Sequence, residues 1–377
     1  MGCDSNYPIL VTTKPHPYPI RAATSTRIDL NPSVSSAAGR ATVGGVLPVI
    51  DLAELDTPAG RHELRAVTHE VGFFYLVGHG VDRQLIDRVQ STARAFFALP
   101  DEDKSAVSMI NSPHFRGYNR LGGEFTNGEV DWREQIDIGP DRDPLDHATG
   151  YLRLQGRNQW PAALPGLRSA ITDYDAALSE VSLRLLRHWA AGLSADPGLF
   201  DDAFAHAPAT LIKLVRYPAR PAATVAGDQG VGAHKDSGVL TLLLIEEGSS
   251  GLQVEASDGS WIDAPPLPGA FVVNIGEMLE VATHGYLRAT RHRVLTPPGA
   301  GERISIPYFF SPALDAVIPT VDLPAELAAK ARGVEQDPAN PLYSTYGENT
   351  WKSRTRAHPD VYARWYPDEA AANGEPD

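Results

Sequence analysis

Three residues carry the first chemical signal. In Val231-Gly232-Ala233-His234-Lys235-Asp236-Ser237-Gly238, a histidine and an aspartate stand two apart, just before an apolar run from Val239 to Ile245. Residues i and i+2 of an extended chain project to one face, so His234 and Asp236 can grip a single ion. His292, in Thr290-Arg291-His292-Arg293-Val294-Leu295, offers a third donor from another predicted strand. Two imidazoles and one carboxylate on one face leave adjacent positions of the ion open, the arrangement that lets Fe(II) activate dioxygen. The plain alternative for the pair is a strand-end His–Asp hydrogen bond. His358-Pro359-Asp360 repeats the triplet, but it holds a proline and enters no apolar strand, so it reads as a surface coincidence.

A second pair extends the signal. Glu302-Arg303-Ile304-Ser305-Ile306-Pro307-Tyr308-Phe309-Phe310 sets Arg303 and Ser305 on one face of a strand. The turn at 296–302 predicts a hairpin that lays this strand against the one carrying His292, inside a barrel. A buried guanidinium needs an anion, and its fork of donors matches a carboxylate. The far carboxylate of 2-oxoglutarate is such an anion. Tyr217, in Leu214-Val215-Arg216-Tyr217-Pro218, is either a phenolic donor to that group or a core tyrosine. Lys213 either turns a cation towards the ligand or lies along the surface as an exposed stem.

The elements that must position these residues follow from periodicity. A helix is predicted through 58–70, then a buried strand in Gly72-Phe73-Phe74-Tyr75-Leu76-Val77-Gly78. Leu85, Ile86, Val89, Ala93, Phe96 and Phe97 recur at helical spacing up to Leu99-Pro100. Residues 111–165 are dense in glycine, arginine and aromatics, which suits a pocket rim better than a core. Ile171, Tyr174, Leu178, Val181, Leu185 and Gly192 mark one long supporting helix. From Leu211 to Ser311 short β-rich runs alternate with turn clusters, implying an antiparallel sandwich or barrel. The division is a flexible tail at 1–45, an α/β region at 46–206, a β core at 207–312 and a helical extension or lid at 313–377, with 46–377 forming one integrated unit.

Composition excludes several roles. The chain has 377 residues, 42% of them hydrophobic, and a net charge of −14. It can bury a large core, and its charge repels nucleic acid and anionic membrane, leaving a small molecule as substrate. The single cysteine, Cys3, allows neither an intrachain disulfide nor a thiolate metal site, so the expected compartment is the cytoplasm. No apolar run reaches the roughly 20 residues that cross a bilayer. The expected state is a monomer or weak homo-oligomer.

Taken in order, these motifs resemble the isopenicillin N synthase-like branch of the 2-oxoglutarate and Fe(II)-dependent dioxygenases, in a microbial form. The resemblance rests on Leu47-Pro48-Val49-Ile50-Asp51-Leu52, the run from Gly72 to Gly80, Asn158-Gln159-Trp160-Pro161, Arg216-Tyr217-Pro218, His234-x-Asp236, Gly251-Leu252-Gln253-Val254, Asn274-Ile275-Gly276, His292-Arg293-Val294 and Arg303-x-Ser305. It implies a mainly β fold with flanking helices around a double-stranded β-helix (jelly-roll) core. It implies Fe(II) on His234, Asp236 and His292, 2-oxoglutarate on Arg303 and Ser305 with help from Tyr217, and O2 as oxidant. The reaction it implies is oxidation, chiefly hydroxylation, of a small metabolite with release of succinate and CO2. Asp236 argues against halogenation, since halogenases of this chemistry have a small residue there. Thr283-His284-Gly285 departs from the Thr-Asn-Gly of many members and adds a histidine of unassigned role.

Candidates for the substrate pocket are Phe115, Arg116, Tyr118, Arg120, Trp132, Lys213, Leu242, Leu244 and Phe310, with Tyr346, Trp351 and Arg354 as a closing lid. Two enzymatic rivals share the motifs: an isopenicillin N synthase-like oxidase and an ethylene-forming enzyme. A non-catalytic β-barrel that binds a metal or carboxylate is the rival of another class.

Overall fold

In the computed structural model, residues 47–223, 227–334 and 340–373 are described. The expected 1–45 tail and Cys3 lie outside them. Two sheets face each other. The larger has eight strands in the order β1 (Val49–Asp51), β2 (Phe73–Val77), β12 (Phe271–Ile275), β9 (Leu240–Ile245), β14 (Arg303–Phe310), β7 (Leu211–Tyr217), β6 (Glu134–Ile138) and β3 (Gly117–Asn119). The smaller has four, in the order β11 (Trp261–Asp263), β10 (Leu252–Glu255), β13 (His292–Leu295) and β8 (Gln229–His234). A short ribbon pairs β4 (Phe125–Thr126) with β5 (Glu129–Val130).

From β7 to β14 the chain passes between large and small sheet five times before its last return, the winding of a double-stranded β-helix. This corrects the hairpin expected at 296–302. β13 pairs with β8 and β10, whereas β14 pairs with β7 and β9, so the turn crosses between sheets. Turn length alone cannot tell a hairpin from a crossover.

Each face of the large sheet is buried for its own reason. Helices Pro58–Glu70, Arg83–Phe97 and Gly166–Gly192 cover the outer face with Leu64, Val89, Phe96, Leu178, Leu185 and Trp189. Thr57 caps the first helix by accepting from Gly60 N, and Asp82 caps the second by accepting from Gln84 N. The inner face meets the small sheet through Val215, Tyr217, Val231, Ile245, Leu252, Val254, Val272 and Val294. Strands β3 and β6, from the stretch expected to form only a rim, extend the large sheet beyond β7. Among the described residues no helix is long and apolar enough to cross a membrane.

Candidate metal centre

His234 ends β8 and His292 begins β13, and the two lie directly opposite each other in the ladder. Their ring centroids are 4.4 Å apart. Asp236 stands past the end of β8, in the loop before β9, rather than on a shared strand face. Its Oδ1 lies 3.6 Å from His234 Nε2 and 3.8 Å from His292 Nε2. One donor atom from each residue falls within 4.8 Å of the others, and no second such group occurs among the described residues.

The surrounding bonds aim these atoms. His234 Nδ1 is tied to Gly232 O at 2.8 Å and His292 Nδ1 to Thr290 O at 3.1 Å, so each Nε2 is left for the centre. Asp236 Oδ2 accepts from Thr241 Oγ1 at 2.6 Å and Asn274 Nδ2 at 2.8 Å, leaving Oδ1 free. Burial would raise the Asp236 pKa, but the histidines and Thr241 hold it well below the ordinary carboxylate range. Burial, aided by the charge of His234, pushes His292 down to about 4. For His234 burial is outweighed by Asp236, which raises its pKa. One ionised carboxylate and two convergent imidazoles fit a divalent iron with open cis positions.

Further inside, Arg303 is only 4% exposed. Its Nη1 donates to Ser250 O at 2.9 Å, its Nε has no partner, and its guanidinium lies 4.7 Å from the Tyr217 ring centroid. No carboxylate of the described residues pairs with it, and burial pushes its pKa down. Ser305, also buried, sits two residues along β14, next to Val215 and Ile245 of the inner core. A buried, unpaired guanidinium is a strong request for an anion.

The proposed pocket residues fare unevenly. Leu242, Leu244 and Phe310 point the other way, into the core beneath the helices, where Phe310 stacks on Phe204. Their odd-numbered neighbours Thr241, Leu243, Ile245 and Phe309 are on the lumen side, since successive strand residues alternate faces. Tyr118 belongs to the helix-side core and donates to Glu134. Phe115 is fully buried in a satellite core, edge-on to Trp351, which packs on Tyr362 and Tyr366. Arg116 is buried and donates to Leu154 O. Trp132 donates its indole N–H to Pro218 O at 3.0 Å under Arg220. Arg120 is exposed, as is the left-handed His284, which bears on none of the centre's bonds.

Of the two readings of Lys213 the exposed stem fails, because the residue is buried against Glu124 and Asp137. The surface reading of His358-Pro359-Asp360 is reversed at His358, which is 1% exposed. Sequence reasoning missed Thr241 and Asn274, although Asn274 stood inside a quoted motif. A buried strand asparagine was the available signal, because it must find partners.

A jelly roll that aims two imidazoles and a carboxylate at one point, with an unpaired guanidinium in the same lumen, defines a non-haem iron oxygenase. The chain belongs to the 2OG-Fe(II) oxygenase superfamily, whose description matches residues 209–312, with a non-haem dioxygenase N-terminal region at 47–163. It is thus an oxidoreductase that works with Fe(II), 2-oxoglutarate and O2. It is 38% identical to the 2-oxoglutarate-dependent dioxygenase frbJ of a Dothideomycetidae species, over 85% of this chain and 93% of that one. It is 34% identical to a homoarginine-6-hydroxylase of Glycine max, over 73% and 88%. Among solved structures, a full-length Neurospora crassa protein in complex with alpha-KG superposes with a TM-score of 0.69 at 25% identity, covering 84% of this chain and 98% of that one.

Proposed function

We propose that His234, Asp236 and His292 hold the ferrous ion, that Arg303 and Ser305 above Tyr217 hold the far carboxylate of 2-oxoglutarate, and that the chain hydroxylates a small metabolite. The observation that carries the assignment is Arg303, buried without a carboxylate partner in the lumen onto which the triad opens. Bound there, Fe(II) would supply the oxidation, in which 2-oxoglutarate and O2 give succinate and CO2 as one oxygen atom is inserted into a substrate C–H bond. The chain's own contribution is placement. Thr241 and Asn274 fix one oxygen of Asp236, the two backbone carbonyls fix the imidazole rings, and Arg303 orients the cosubstrate along the lumen.

Anaerobic addition of Fe(II) and 2-oxoglutarate should give a weak visible charge-transfer band that His234→Ala removes. A folded wild-type protein without that band would refute the assignment. Succinate formation across a metabolite panel then reads coupling to substrate. The named activities of relatives, a homoarginine hydroxylase and a rice dioxygenase for auxin oxidation, both support a small organic substrate.

A further inference from the structure

A row of buried charges of alternating sign crosses the lumen side of β6 and β7. Arg133 Nη2 lies 2.9 Å from Asp131 Oδ2 and 3.1 Å from Glu124 Oε1. Lys213 Nζ lies 3.1 Å from the same Glu124 oxygen and 3.6 Å from Asp137 Oδ2, which Arg354 also contacts. Lys213 and Asp137 are cross-strand neighbours, and Lys213 shares the strand face of Tyr217. The row adjoins the metal centre, because Asp131 Oδ1 accepts from Gly232 N at 3.3 Å, two residues before His234.

Three cations face three carboxylates, so the row needs no outside counter-ion. It is nevertheless incomplete as a hydrogen-bond network. Asp137 has partners on both oxygens, the second accepting from Gln135 Nε2 at 2.7 Å. Glu124 is not, since Lys213 and Arg133 share Oε1 while Oε2 is buried with no partner. Gln135 Oε1, Arg133 Nε and His358 Nε2 are buried and unpartnered as well. Native interiors leave few polar atoms in this condition, and four around one charge row mark a network that a further partner would complete.

We propose that this patch is the substrate's recognition wall, where Glu124 and Gln135 receive a nitrogen head group bearing at least two N–H donors. Amino acids and their side-chain amines, guanidines and amides present such groups. The proposal rests on the oxygenase reading above and adds the substrate class to it. Each cation of the row already faces a carboxylate, and an apolar ring would leave the Glu124 and Gln135 acceptors stranded. Glu124 is the discriminating residue, because an ionised oxygen makes the stronger bond to an N–H donor.

The test is anaerobic calorimetry on the Fe(II)-loaded protein, with and without 2-oxoglutarate, using L-arginine, L-citrulline, L-lysine and L-glutamine against 3-phenylpropionate. At least one nitrogen probe should bind, and 3-phenylpropionate should not. L-arginine and L-citrulline differ mainly in charge, so their ratio separates a cationic from a neutral head group. Glu124→Gln keeps an oxygen for Lys213 and Arg133 but turns the free acceptor into a donor. It should weaken the tightest probe at least tenfold while the Kd for 2-oxoglutarate moves less than twofold. Gln135→Met, which removes the second acceptor, should act in the same direction and covers a folding failure of the first variant. Equal affinity in both folded variants, binding of 3-phenylpropionate alone, or no nitrogen probe binding to protein that takes up 2-oxoglutarate would each overturn the proposal. Failure of 2-oxoglutarate to bind, with nitrogen probes still bound at Glu124, would overturn the oxygenase site assignment instead.

Discussion

Asn274 Nδ2 sits 2.8 Å from Asp236 Oδ2, and this contact decides which oxygen of the carboxylate faces the two histidines. With Thr241 on the same oxygen, rotation of the carboxylate would break two hydrogen bonds. Asn274→Ala should therefore weaken metal binding by about 10–100-fold with the triad itself untouched. Titration with Co(II), followed by its d–d absorption, measures this. Unchanged affinity would show that Thr241 alone suffices.

Arg303→Gln separates binding from stability. Removing an unpaired buried charge should leave the melting temperature of ligand-free protein undiminished, although the bond to Ser250 O is lost. In the wild type, 2-oxoglutarate at 100 times its Kd should add about 2.7 kcal/mol of stability, and in the variant nothing. A ligand-induced rise in Tm that survives the substitution would remove Arg303 from the cosubstrate site.

His358 should make the fold acid-sensitive. Burial is the main cause that pushes it from 6.5 to about 4. Between those values the unfolded chain takes up a proton that the folded chain refuses, so stability rises with pH across that window and is lost as pH falls through it. The full effect is about 3 kcal/mol. His358→Gln should flatten denaturant-derived stability between pH 6.5 and 4 relative to wild type, and parallel curves would contradict the burial argument.

Leu242→Ala tests the corrected strand face. As a fully buried residue of the helix-side core, it should cost about 2–5 kcal/mol of stability and leave 2-oxoglutarate affinity unchanged. A selective loss of ligand binding at normal stability would put Leu242 back in the lumen.

The sequence revealed chemistry more readily than orientation. His234, Asp236 and His292 were legible because their types and strand context leave few other uses, and Arg303 because a guanidinium on a barrel strand needs an anion. Strand face was not legible for Leu242 and Leu244. β9 is apolar on nearly every position, so no alternation of polarity marks its lumen side, whereas in β14 Arg303 and Ser305 do mark it and their parity sets Phe310 on the opposite face. Glu124, Gln135 and His358 were hidden for another reason. They come from a loop, an outer strand and the C-terminal helices, and only the long-range pairing of β6 with β7 and the Arg354–Asp137 contact gather them.

The crossover between β13 and β14 has a mechanical consequence. The metal triad is anchored mainly to the small sheet, while Arg303 and Ser305 belong to the large one. A dicarboxylate held at both ends acts as a tie-rod between two plates that share no ladder hydrogen bonds. Loading it should slow amide exchange along β8, the edge strand of the small sheet, far more than within β14, which already has a strand on either side.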